Sequence, residues 1–404
     1  MQAPEPIAIN VLTGFLGAGK TTLLNALVKE ATLANAVVLI NEFGEVALDH
    51  LLVEGVEGEM IALSSGCLCC TIRGELVGAL EGLLRRRDNG RMRAFDRVLI
   101  ETTGLADPAP ILNTLMLHPY LSRRFVIDSV VTVVDAINGA ATLDSHEEAR
   151  RQVAMADRLV LTKSDLAADV SIPRLGARLR RLNPTAPLLD AKRDELDADA
   201  LLRAGLYSPN EKLPDVARWL NADALLAREQ EKDEPERGQR THKHHHEDHS
   251  HAHSQAASHA PGHAHAAHGH GDDQNRHDER IKAFCLTSER PVKAAAIDLF
   301  LQLLRSIEPA RLLRLKGIVA LAERPDEPLV VHGVQEVMHE PVRLSKWPDG
   351  DRRTRLVLIL EGMEEAEVRK LWDAFASGPP QPDTPDREAL SNNPLKTTVG
   401  GLLG

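Results

Sequence analysis

The chain has 404 residues, 43% of them apolar and only 3% aromatic, with a formal net charge of −11. That length supplies two or three domains, with cores built mainly from Leu, Val, Ile and Ala. The acidic balance argues against a nucleic-acid partner, and no apolar run reaches the roughly 18 residues of a membrane span.

The opening MQAPEPIAIN has no basic stretch followed by an apolar one, so a soluble, cytoplasmic protein with reduced thiols is expected. Ile7–Gly14 (IAINVLTG) is an apolar run closed by glycine and predicts a buried strand. Gly14-Phe15-Leu16-Gly17-Ala18-Gly19-Lys20-Thr21 then fits G-x-x-x-x-G-K-[ST] at every fixed position. TTLLNALVKE follows, with helical spacing at Leu23, Leu24, Leu27 and Val28. Strand, glycine loop and helix in that order predict a phosphate-binding loop. Its backbone N–H groups close on phosphate oxygens at a helix N-terminus. Lys20 is expected to neutralise the β- and γ-phosphates, and the Thr21 hydroxyl to ligate Mg(II).

AVVLINEFG, RVLIETTG, DSVVTVVDA and DRLVLTKSD are further apolar runs ending in polar residues. Alternation with amphipathic stretches predicts an α/β domain, a mainly parallel sheet flanked by helices. Ligands of such sheets bind at the carboxyl ends of the strands. There RVLIETTG places Glu101, to reach Mg(II) through water or to position the attacking water, and Gly104, whose N–H is suited to sense the γ-phosphate. Thr162-Lys163-Ser164-Asp165 places a carboxylate that accepts from N1–H and the exocyclic amine of guanine. Adenine lacks that donor pair, so Asp165 favours GTP, with the Lys163 stem lying along the base. The commoner GTPase motif has Asn where Thr162 stands.

Cys67-Leu68-Cys69-Cys70 holds three of the four cysteines, after the apolar MIAL stretch. Three thiolates exceed one disulfide and suit a soft tetrahedral ion such as Zn(II) or Cu(I). Glu42, at an adjacent strand end, and His118 are candidates for a further ligand. A redox switch is the competing reading.

Residues 228–279 differ in kind. They hold 13 histidines between His242 and His277 and lack periodic large apolar residues, which predicts a disordered His-rich linker. Pairs such as His251 and His253 are spaced to share a divalent ion. Patterned sequence returns over 280–377 as a small α+β domain. IKAFCLTSERP, LLRLKGIVAL, PLVVHGVQEVMHEPVRL and RLVLILEG read as strands. VKAAAIDLFLQLLRSI and EEAEVRKLWDAF read as helices. Cys285 is expected to be a packed core thiol, and 378–404 a flexible tail.

GFLGAGKTT, NEFGEV, GCLCC, ETTGLADP and TKSD, in that order, resemble the CobW-type family of P-loop GTPases, and LKGIVAL, VVHGVQ and WPDGDRRTRLV resemble its C-terminal domain. The resemblance implies a GTPase domain over 1–227 that hydrolyses GTP to GDP and phosphate. It implies that Gly14, Gly17, Ala18, Gly19, Lys20, Thr21 and Thr22, with Thr162, Lys163 and Asp165, bind the nucleotide. It implies zinc on Cys67, Cys69 and Cys70, and a GTP-dependent metallochaperone serving a metal-requiring client protein. The alternatives are a Co(II)-handling GTPase of cobalamin synthesis, a GTP-regulated thiol redox sensor, and a scaffold whose zinc never leaves. The client and the oligomeric state, a homo-oligomer included, are not written in the sequence.

Overall fold

The run Ile7–Gly14 forms strand β1, and every one of its residues is buried. The computed structural model describes residues 6–42, 60–64, 70–167, 171–194, 196–203, 220, 280–307, 311–335, 337–339 and 341–376. On one side of β1 lies β4 (Arg97–Glu101), then β2 (Ala36–Glu42) and β3 (Met60–Ser64). On the other lie β5 (Phe125–Asp135), β6 (Arg158–Thr162) and β7 (Leu188–Asp190). The order is β3-β2-β4-β1-β5-β6-β7, and every pairing is parallel. A central strand of such a sheet is covered on both faces, so it reads as a continuous apolar run.

The strands are linked by α1 (Lys20–Leu27), α2 (Cys70–Asp88), α3 (Ala109–Leu117), α4 (Leu121–Arg124), α5 (Gly139–Ser145), α6 (Glu147–Met155), α7 (Ser171–Leu182) and α8 (Ala198–Leu202). Alternation sorts the side chains between two helical layers. Val98 and Ile100 of β4 pack with Leu80 and Leu84 of α2. Leu99 between them packs with Leu24 of α1 and Leu201 of α8. Because all strands run the same way, their carboxyl ends share one edge. β1, β4, β2 and β3 place the glycine loop, Glu101, Glu42 and Ser64 along it.

The second sheet is antiparallel. It contains β8 (Ile281–Ser288), β9 (Leu312–Leu321), β10 (Arg324–Val334), β11 (Val337–Met338), β12 (Val342–Arg343) and β13 (Thr354–Glu361). Its order is β11-β10-β9-β13-β8, with β12 also on β10. One face carries α9 (Ala294–Ile307) and α10 (Glu365–Ala376). There Leu356, Leu358 and Leu360 meet Phe300, Leu304 and Trp372. PLVVHGVQEVMHEPVRL is not one strand but parts of three, turned at Gln335 with φ 51°. Cys285 is 1% exposed in this domain. Among the described residues no helix is long and apolar enough to cross a membrane.

The opposite face meets the first domain. Leu313, Val334 and Ile359 join the cluster built by α3, α6 and α7. Arg314 and Lys316, two residues apart on β9, point to one side and converge on Asp157, between α6 and β6. Arg314 Nη2 donates to the two Asp157 oxygens at 2.7 and 2.8 Å, and Lys316 Nζ lies 2.5 Å from Oδ1. Asp157 also accepts the Val130 N–H at 2.9 Å. Burial pushes the Asp157 carboxyl up, but the two cations outweigh it and hold the group below the usual carboxylate range.

Beside these cations, the rings of His332 and His339 stack 3.6 Å apart. Burial, then the charge of Arg314, pushes His339 down to about 4. Burial, then His339, Arg314 and Lys316, pushes His332 well below 6.5. Both are neutral in the fold at pH 7, whereas the unfolded chain takes up protons as pH falls through 6.5. The unfolded state then binds more protons, so stability falls between pH 6.5 and 4. Urea unfolding of His339→Gln should lose less stability over that window than wild type, by roughly 2 kcal/mol. Equal losses would contradict this.

Candidate functional site

The glycine loop leaves β1 at Gly14, where φ is 141°. A side chain there would run into the Val133 carbonyl of β5, so only glycine lets the strand turn so close to its neighbour. The loop ends at Gly19, which precedes α1. Lys20 is 8% exposed, and its Nζ donates to the carbonyls of Gly14 at 3.0 Å and Phe15 at 3.3 Å. The ammonium thus sits over the loop that is to receive phosphates. The Thr21 hydroxyl donates to Glu101 Oε1 at 2.8 Å. A hydroxyl and a buried carboxylate in contact form a donor set that fits a hydrated Mg(II). Thr22, in the first turn of α1, is exposed.

β4 is fastened to β1 just past Glu101. The Thr102 hydroxyl donates to that of Thr13 at 2.9 Å. Gly104 then presses on the loop itself, where an added Cβ would stand 2.5 Å from Leu16 N. The segment carrying Gly104 therefore touches the loop directly, as a γ-phosphate sensor must.

The Thr162–Asp165 segment closes the other side. The Thr162 hydroxyl donates to the Ala18 carbonyl at 2.6 Å, so threonine ties this strand end to the loop where Asn is commoner. Lys163 adopts a left-handed φ of 56°. Its Nζ donates to the Gly17 carbonyl at 2.7 Å and to Asp135 Oδ2 at 2.8 Å. Burial raises the Asp135 carboxyl, but Lys163 and the N–H groups of Ile137 and Asn138 together hold it below the usual range. The Asp165 side chain is 47% exposed, with Lys192 Nζ at 3.7 Å. It faces solvent beside the loop.

Cys67 and Cys69 lie outside the described residues, as do the His-rich linker and the tail. Cys70 is the first residue of α2. The register pairs Glu42 with Ser64, three residues before Cys67, so backbone pairing brings Glu42 to the start of the cysteine segment. β3 is three strands from β1, about 14 Å at 4.8 Å per strand. His118 is different and requires a correction. It ends α3, which runs back toward the amino ends of the strands. Its Nε2 lies 3.9 Å from Glu81 Oε1, and its Nδ1 accepts the Leu121 N–H at 3.3 Å. Glu81 is eleven residues along α2 from Cys70, roughly 16 Å at 1.5 Å per residue. The fold does not bring His118 to the start of α2, where Cys70 stands.

Two residues at this site were missed in the sequence. Asp135 ends an apolar strand as Glu101 does, and that shared signal was available. Gln152, 1% exposed, donates to the carbonyls of Gly104 at 3.2 Å and Ala106 at 2.9 Å. Nothing in its helical context marks it.

Residues 8–190 match the family described as CobW/HypB/UreG, nucleotide-binding domain, and residues 281–376 match the cobalamin synthesis protein cobW C-terminal domain. The chain is 39% identical over 209 residues to the zinc chaperone YjiA of Escherichia coli, covering 52% of this chain and 65% of that one. It is 36% identical over 200 residues to the zinc-regulated GTPase metalloprotein activator 1 of Schizosaccharomyces pombe, covering 48% and 47%. The matched stretches thus span about half to two thirds of these relatives' length. The crystal structure of Zn(II)-bound YjiA GTPase from E. coli superposes with a TM-score of 0.61 at 25% identity, over 92% of this chain and 99% of that one. A Zn(II)-bound triple mutant of the same GTPase, with one glutamate and two cysteines replaced by alanine, gives 0.62 at 26% identity, with the same coverage.

Proposed function

The chain belongs to the CobW-type family of P-loop GTPases, and on that premise we propose that it is a GTP-hydrolysing metallochaperone. Its cargo is Zn(II), held by Cys67, Cys69 and Cys70 with Glu42 as a further ligand, and its target is a metal-requiring client protein. The observation that carries this reading is the shared sheet edge. The phosphate loop, Glu101, Glu42 and Ser64, three residues before Cys67 in sequence, stand at the ends of adjacent parallel strands.

On this reading Lys20 and the loop amides hold the phosphates of GTP, and Thr21 holds Mg(II). The metal supplies charge neutralisation at the phosphate oxygens. Glu101 orients the attacking water, and the Gly104 N–H reports the γ-phosphate. Thr162 and Lys163 brace the loop, and Asp165 selects guanine. The zinc-named relatives and the zinc-bound GTPase structure favour Zn(II) over Co(II) as cargo. Control of release follows from proximity. A movement of β2 or β4 ends on hydrolysis displaces the segment carrying the thiolates, and a coupling of about 1–3 kcal/mol changes affinity about 5–150-fold.

Nucleotide choice tests the first half of the proposal. Asp165→Asn should weaken GTP binding about 10²-fold, because the acceptor for the exocyclic amine is lost and the one left for N1–H is no longer charged. Binding of xanthosine triphosphate should strengthen, since its C2 carbonyl accepts from the new amide. Unchanged GTP affinity in a nucleotide competition assay would exclude Asp165 from base recognition.

A further inference from the structure

The segment between Glu101 and α3 is held by α6, a helix that also meets the C-terminal sheet. Gln152 of α6 holds the carbonyls of Gly104 and Ala106. Its neighbour Arg151 holds Asp107, with Nη1 3.5 Å from Oδ2. Asp107 in turn accepts the Ala109 N–H at 2.9 Å and so anchors the start of α3. Arg151 also meets Glu361, the last residue of β13. Its Nε donates to Glu361 Oε2 at 3.1 Å, and Nη2 lies 3.1 Å from the same oxygen. Glu147 Oε1 stands 2.6 Å from Nη2. One guanidinium thus serves three carboxylates, two in the nucleotide domain and one in the C-terminal sheet.

We propose that Glu361 is a positioning residue for GTP hydrolysis, acting through Arg151 on the segment that carries Gly104, so that the C-terminal domain and the nucleotide site are coupled. The proposal rests on the GTPase reading above. Its physical basis is orientation. Glu361 and Glu147 take Nε and Nη2 of Arg151, which leaves Nη1 facing Asp107. Asp107 is the most distant of the three carboxylates, so a small rotation of the guanidinium decides whether it keeps its contact. Glu361 is 7% exposed, so its pairing is weakly screened by solvent. A second contact runs in parallel, with Asn113 Nδ2 of α3 3.4 Å from Gln335 Oε1 in the β10–β11 turn. Between binding events the coupling is reciprocal: a client or metal bound to the C-terminal sheet and a bound γ-phosphate each change the other's affinity, while the effect on kcat follows from where the segment holds Gly104.

The test uses the full chain. GTP turnover is measured for wild type, Glu361→Gln, Arg151→Ala and the double variant. Glu361→Gln should lower kcat about five- to tenfold and leave KM for GTP within about twofold. In the Arg151→Ala background the same change should have no further effect. Hydrogen exchange at β13 amides of wild type should differ between Mg–GDP and a Mg–GTP analogue. That comparison decides the matter even if Glu361→Gln does not fold. Wild-type turnover with an unchanged kcat in Glu361→Gln, additive single effects, or nucleotide-independent exchange would overturn the coupling alone. Wild-type protein that neither binds nor hydrolyses GTP would overturn the GTPase reading and the coupling with it.

Discussion

Asp157→Asn should destabilise the protein by about 3–5 kcal/mol. The carboxylate is 3% exposed, and the side chains of Arg314 and Lys316 that converge on it are 7% and 4% exposed. The substitution keeps the shape and removes the charge. Two cations then stay buried against a neutral amide, and breaking a buried ion group from one side costs far more than the group adds to stability. The Val130 N–H and Met155 carbonyl contacts are disturbed with it. Against a domain stability of about 5–15 kcal/mol, this is a large share. Replacing all three side chains by apolar ones of similar volume should cost much less, since no charge is left unmatched. Urea unfolding of the two variants separates the cases. A loss below about 1 kcal/mol for Asp157→Asn would mean that water reaches the cluster. The same carboxylate contributes an acid limb to stability. Its folded value lies below 3.8, so its contribution is present above pH 3.8 and lost as pH falls through the folded value.

Lys20→Ala should lower kcat/KM for GTP by roughly 10²–10³-fold, the usual effect of removing one preorganised charge donor from a transferring phosphoryl group. In the structure the ammonium is already buried over the loop, held by the Gly14 and Phe15 carbonyls. It therefore needs little reordering to meet phosphate oxygens. The fold should tolerate the change, because the loop is also braced by Thr162 on Ala18 and Lys163 on Gly17. Steady-state phosphate release together with a melting curve checks both parts. A variant that melts normally but hydrolyses GTP at the wild-type rate would remove Lys20 from the chemistry.

The parts of this molecule that were legible in the sequence are those written locally. The parallel strands read as unbroken apolar runs because both faces are covered, and each ended in polar residues at the site. The glycine loop was legible because its spacing is dictated by phosphate geometry. Glu101 and Thr162–Asp165 were legible from their order after it. What failed to show depends on direction and on distant pairing. His118 looked available to the cysteine segment, but α3 carries it to the opposite end of the sheet. Asp157 and Arg314 are 157 residues apart, and nothing local in LLRLKGIVAL pairs Arg314 and Lys316 with a carboxylate of another domain. Gln335 broke an apolar stretch that the sequence presented as one strand, because its left-handed φ of 51° belongs to a turn in which Gln335 itself is neither glycine nor proline.

The central claim is that zinc affinity depends on the nucleotide. A zinc competition titration on reduced protein lacking residues 242–277 tests it directly, first with Mg–GDP and then with a Mg–GTP analogue. The account predicts two different affinities, both lost in Cys69→Ser. One affinity in both nucleotide states would contradict it and leave the zinc as a structural ion.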